Sequence, residues 1–169
     1  MKTSRLTELG LLTAIALIIF IIELQLPGLT PIPGMKLGLA NIITVYAVYH
    51  YSARETAMIA ITRIILGAVF SGRMMALAYS LAGGIACLTG MLILKHFIDE
   101  KYIWASSMLG AVLHNIGQIM VAVFIVGSFA PIFYLPVLLI AGCMAGLFTG
   151  LCAGTMLQRG CGVKKEVSS

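Results

Sequence analysis

From Tyr102 to Gln158 the chain carries no Asp, Glu, Lys or Arg. A soluble domain has about a quarter of its residues charged, so a stretch this long without charge belongs in a bilayer. At about 20 residues per crossing it exceeds one span. Gly127-Ser128-Phe129-Ala130-Pro131 divides it, because glycine ends helices readily and proline cannot continue one. Two spans, about 103–127 and 131–158, are expected.

Four further apolar runs precede this stretch, at about 6–24, 35–51, 53–70 and 74–94. The 169 residues are 60% hydrophobic and 10% charged, so six crossings leave only short connections. We therefore expect an all-α membrane protein, with residues 1–169 forming a single integral membrane domain, a six-transmembrane-helix bundle. The first run follows Lys2 and Arg5 in the manner of a signal peptide. Glu23-Leu24-Gln25-Leu26-Pro27 offers no small-residue cleavage site, so the run is expected to remain as the first span.

Charge orients the bundle. With both termini cytoplasmic, the inner side holds Lys2, Arg5, Arg54, Lys95, Lys101, Arg159, Lys164 and Lys165. The outer side holds Lys36 and Arg73, and Arg63 falls within the third span. That asymmetry follows the positive-inside rule, with the bacterial cell membrane as the expected location. The net charge of +5 is then a matter of topology and lipid contact. No base-reading module is present, so nucleic acid is not an expected partner.

The same orientation places Pro27, Pro31, Pro33, Pro131 and Pro136 in or near the outward connections. Pro31-Ile32-Pro33-Gly34-Met35-Lys36 reads as a stiff turn leading into the second span, since proline suits a helix start. Free amides there, with Lys36 beside them, would seat an anion. The plainer alternative is a turn with a lysine that snorkels to water. Asn41 falls one turn below Lys36 and Thr44 another turn deeper, where either can equally bond a neighbouring helix.

Arg63 lies nine residues after Arg54 and ten before Arg73, about 14 Å from either end of its helix. An arginine at that depth costs roughly 2.5–3.5 kcal/mol to insert, so it must face the bundle interior or a wet cavity. It either serves a ligand or pairs structurally with Glu23 or with backbone carbonyls. In the fifth span, His114, Asn115 and Gln118 fall within roughly 100° of arc, flanked by Gly110 and Gly117. That trio is either part of a site or an interhelical hydrogen-bond cluster. Lys36, Arg63, Arg73 and His114 make the outward half cationic, so any ligand is expected to be anionic: a phosphate, diphosphate or carboxylate.

The sixth span places Gly142, Gly146, Gly150 and Gly154 four residues apart, a spacing that lets helix backbones approach. Internal packing is the simpler use of this stripe, and a face for a partner protein the other. The first span has a lesser version in Gly10-x-x-x-Ala14. The four cysteines show no CxxC and no metal spacing, and no metal or cofactor is expected. A phosphate-binding Gly-x-x-x-x-Gly-Lys-[Ser/Thr] loop is missing, as is any aspartate-rich magnesium motif. The acidic pair Asp99-Glu100 sits in a cytoplasmic turn, and no nucleophile has an obvious base. The chain is not expected to be an enzyme.

Three motifs together resemble a bacterial membrane family: Pro31-x-Pro33-Gly-x-Lys36-Leu-Gly-Leu-Ala-Asn41, Arg63-Ile-Ile-Leu-Gly67, and Gly110-Ala-Val-Leu-His114-Asn115-x-Gly117-Gln118. It is called the Gx transporter family, or heptaprenyl diphosphate synthase component I. The likeness covers nearly the whole chain. That family in turn resembles the substrate-binding S components of energy-coupling-factor vitamin transporters. These are six-helix bundles that bind a small ligand on the outer side and dock a transmembrane subunit and two ATPases through the first helix. The resemblance implies that Lys36, Asn41, Arg63, Arg73, His114, Asn115 and Gln118 line a substrate pocket. It also places Gly10 and Ala14 at the partner-docking position, where S components use Ala-x-x-x-Ala. Family members tend to be encoded beside FMN-binding proteins and prenyl synthases, so either is an expected partner.

Two functional expectations follow. The first is a transport subunit that captures a small anionic or amphipathic, possibly phosphorylated, molecule from outside and works with an energy-coupling module. The second is a membrane accessory subunit of isoprenoid or quinone metabolism, or of flavin-based extracellular electron transfer.

Overall fold

A computed structural model of the chain describes residues 3–25, 38–72 and 74–166. Helix α1 spans Thr3–Gln25, α2 Asn41–His50, α3 Ala53–Ser71, α4 Met74–Leu94, α5 Ile103–Val126 and α6 Leu135–Glu166. Single 3-10 segments, Glu100–Tyr102 and Ala130–Tyr134, precede α5 and α6. Among the described residues there is no strand. Four stretches are long and apolar enough to cross a membrane: Thr3–Glu23, Leu77–Leu94, Ile103–Val126 and Ala130–Arg159. They mark the protein as membrane-associated.

The other two helices differ from these in kind. Helix α3 has the length of a span but carries Arg54, Glu55 and Arg63. Helix α2 has ten residues, about 15 Å, half the thickness of a hydrocarbon core. It starts at Asn41, and residues 35–37, where the sequence indicates its first turn, lie outside the described residues. Gly38 takes a left-handed conformation (φ 67°), which ends any helix running into it. The Asn41 and Ile42 amides then donate back to the Gly38 and Leu39 carbonyls at 2.8 and 3.1 Å. Asn41 therefore heads α2 instead of lying inside it.

The expected break after α5 is present. Gly127 is left-handed (φ 64°) and its N–H donates to the Val123 carbonyl at 3.0 Å. Pro131 then sits in the 3-10 turn, so α6 begins at Leu135, four residues later than the sequence indicates, and it continues to Glu166. At the start of α3, Ser52 and Glu55 form a reciprocal capping box.

Helix α5 lies between α4 and α6, and glycines set both distances. A Cβ on Gly117 would fall 2.9 Å from the Ala82 carbonyl oxygen, and one on Gly146 2.8 Å from the Met108 Cα. On the other side of the bundle, Gly67 of α3 admits the Phe20 ring of α1. The short α2 is mostly buried and joins the two halves. Val45, Val48 and Tyr49 pack with Cys87, Met91, Ile103 and Ala153, while Ile43 and Ala47 pack with Leu9, Ala16 and Ile59. Large apolar side chains such as Phe124, Phe133 and Ile140 remain on the outside, as a bilayer allows.

Candidate functional site

The polar residues that need a reason gather where α1 ends and α2 begins. Arg63 is 9% exposed, and its guanidinium donates to Asn41 Oδ1 at 3.1 Å. Its Nε has no hydrogen-bond partner among the described residues, and neither has Thr44 Oγ1. Thr44 is one turn along α2 from the half-buried Asn41 and is itself buried. Unsatisfied donors at such depth are costly, about 1–3 kcal/mol each and more for a charged group. The residue at the N-cap position of α2, Ala40, contributes no side-chain acceptor, and the first turn of α2 holds no acidic residue.

Glu23 is the carboxylate of this region, 8% exposed. It does not form the pair with Arg63 that the sequence allows. Among the described residues the ion pairs within 4.0 Å are those of Arg5 with Glu8 and Glu55. Glu23 Oε1 instead accepts the Gly38 N–H at 2.5 Å, a bond that depends on the left-handed turn before α2.

The trio on α5 is divided. His114 and Gln118 face α4: a Cβ on Gly83 would lie 3.0 Å from His114 Cε1 and 2.9 Å from Gln118 Cγ. Asn115 faces α6, where its Nδ2 donates to the Leu138 carbonyl at 2.6 Å and fills the space beside Gly142. The 100° arc is as the helix period requires, but α5 is sandwiched, and the arc straddles two interfaces. Lys36 and Arg73 lie outside the described residues.

The glycine stripe of α6 is also split. Gly142, Gly146 and Gly150 press on α5, whereas a Cβ on Gly154 would meet nothing within 4 Å. Gly10 likewise has open space around it and, with Ala14, lies on an exposed face of α1. Two features escape the sequence reading. The Gly38 N–H as partner of Glu23 has no sequence signal beyond the glycine itself. The buried Ser107–Thr149 hydrogen bond, 3.0 Å between α5 and α6, was open to notice as two hydroxyls on facing small-residue surfaces. A further crevice of about 60 Å³ between α3 and α4 is apolar, lined by Ala60, Ile61, Ile64, Gly84, Ile85 and Leu88 among others. Three His, Cys, Asp or Glu side chains do not come together anywhere among the described residues.

Residues 12–156 match the family described as heptaprenyl diphosphate synthase component I. The chain belongs to that family. No curated protein and no solved structure matches it. In this component I family member the matched stretch takes in Asn41, Thr44, Arg63, the α5 trio and the α6 glycines, and leaves out Gly10. The description of the family as a component implies that its members work with partner subunits.

Proposed function

We propose that this protein is the substrate-binding subunit of a membrane transport system, similar to an energy-coupling-factor S component. It captures a small anionic or amphipathic molecule on the outer side of a bacterial cell membrane. The observation that carries the reading is Arg63: a guanidinium buried in an apolar bundle, held among the described residues by one neutral side chain and with its Nε unpartnered there. Arginine presents a planar donor fork suited to carboxylate and phosphate, and a buried fork left partly free suits a ligand better than a structural contact. Asn41 holds the guanidinium in place, and the Thr44 hydroxyl, one turn along α2, adds a donor. Lys36 and Arg73 would complete a cationic mouth above it.

This reading includes six spans with both termini cytoplasmic, and no catalysis by the chain itself. Vectorial movement then comes from partner subunits docking on the Gly10–Ala14 face of α1, or from rocking of the bundle. The family description favours a second reading, an accessory subunit to a prenyl-diphosphate synthase or to quinone and flavin electron flow.

Native mass spectrometry of the gently extracted protein, with small-molecule extraction of the same sample, separates the two. A stoichiometric anion retained by the wild type and lost in Arg63→Ala supports the transport reading, provided that the variant melts normally. A ligand retained in Arg63→Ala overturns the role of Arg63. An empty protein that copurifies with a prenyl synthase or flavoprotein favours the accessory subunit.

A further inference from the structure

Among the described residues, the exposed tyrosines and the tryptophan stand at helix ends. Tyr102 and Trp104 open α5, and Tyr134 closes the 3-10 turn beyond its other end. Such rings, apolar in body and polar at one edge, settle at the two membrane–water interfaces. No Asp, Glu, Lys or Arg lies between Trp104 and Tyr134. From Trp104 to Val126 helix α5 rises about 33 Å, close to the roughly 30 Å of a hydrocarbon core.

Contacts between helices carry that scale across the bundle. Arg63 is the eleventh of the 19 residues of α3. Its neighbour Ile64 meets Gly84, the eleventh of the 21 residues of α4. A Cβ on Gly83 would lie 2.8 Å from the carbonyl oxygen of His114, the twelfth of the 24 residues of α5. Three helices therefore place their midpoints at one level, and Arg63 is on it. Asn41, bonded to Arg63, starts α2 at the same level. The other end of α2 is tied to the end of α4 by the Lys95 ammonium, which donates to the Val48 carbonyl at 2.7 Å. We propose that Tyr102, Trp104 and Tyr134 anchor the protein in the lipid headgroup layers of the two faces. The seat formed by Arg63 and Asn41 consequently lies at the centre of the bilayer, about 15 Å from either interface. This rests on the reading of the long helices as membrane spans. It deepens the proposed function: an anion that reaches Arg63 has crossed half the membrane inside the protein and is as near to one face as to the other.

Trp104 is the chain's one tryptophan, so quenching by brominated phosphatidylcholines in vesicles reads its depth directly. Bromines near the headgroup end of the acyl chain should quench it at least about twofold more than bromines near the methyl end, because an interface and the bilayer centre are about 15 Å apart. Tyr134→Trp in a Trp104→Phe background should behave in the same way. Ile85→Trp in that background should show the reverse preference, since Ile85 is exposed beside Gly84 at the level of Arg63. Ile65→Trp, on an exposed position of α3 two residues from Arg63, is a second probe of that level and should agree. Stronger quenching of Trp104 or of Tyr134→Trp by the methyl-end bromines overturns the anchors. Stronger quenching of Ile85→Trp and Ile65→Trp by the headgroup-end bromines overturns the central seat and leaves the membrane spans standing. Tryptophans that no brominated lipid quenches overturn the spans as well.

Discussion

Gly150 and Gly154 lie one turn apart on the same stripe of α6, and replacing each by alanine should have opposite effects. A Cβ on Gly150 would stand 2.6 Å from the Trp104 Cα and 2.8 Å from the Ser107 Cβ. Carbon atoms pack best at about 3.5–4.0 Å, so α6 must retreat from α5 by about 1 Å. The Trp104 atom is backbone and has no rotamer to escape into. The retreat also stretches the buried Ser107–Thr149 bond of 3.0 Å. Overpacking of this kind costs about 1–3 kcal/mol, against about 0.8–1 kcal/mol gained when alanine replaces glycine in a helix. Gly150→Ala should therefore lose up to about 2 kcal/mol. Gly154→Ala meets no atom within 4 Å and should gain up to about 1 kcal/mol. The difference, about 2 kcal/mol, is roughly thirtyfold in the unfolding equilibrium. Trp104 is the chain's one tryptophan and sits at the perturbed contact, so its fluorescence can follow equilibrium unfolding in mixed micelles. Two variants of equal stability would refute the assignment of Gly150 to the α5–α6 contact.

Other consequences are open to simpler assays. Thr44→Val removes a buried hydroxyl that has no partner among the described residues. It should raise fold stability by about 1 kcal/mol while weakening anion binding, and a destabilised variant would mean that the hydroxyl is satisfied. Arg5 makes two contacts with Glu55, at 2.9 and 3.2 Å, and lies 4.3 Å over the Tyr51 ring, tying α1 to the α2–α3 corner. Arg5→Gln and Glu55→Gln should each lower the melting temperature, and the double variant should fall no further than the worse single one. Fully additive losses would show that the two side chains act separately. Ser128 and Asp99 flank opposite ends of α5. In a background without native cysteines, Ser128→Cys should react with an impermeant maleimide on intact cells and Asp99→Cys only after permeabilisation. Labelling of both from the same side would refute the proposed topology.

The candidate site was legible as residues more than as an arrangement. Arg63 is conspicuous in any apolar run, because burying a guanidinium needs a reason that one sequence can announce. Asn41 and Thr44 follow from helical spacing. Their relation to Arg63 depends on α3 folding back along α2, and the unpaired state of Glu23 depends on a left-handed Gly38 that presents its N–H. Neither has a local signal. His114, Asn115 and Gln118 lie on the arc that the helix period predicts, yet α5 turns them to two different neighbours.

The sequence by itself determined the helical class, the four long apolar stretches and the break at Gly127–Pro131. These depend on hydropathy and backbone freedom, properties that each segment carries alone. Only the tertiary structure decided which glycines of the α6 stripe act. Gly150 meets Ile103 and Trp104, the first residues of α5; one turn later α5 has ended and Gly154 has nothing to approach. A spacing of four residues says that a backbone can come close. Whether one does depends on where the neighbouring helix starts.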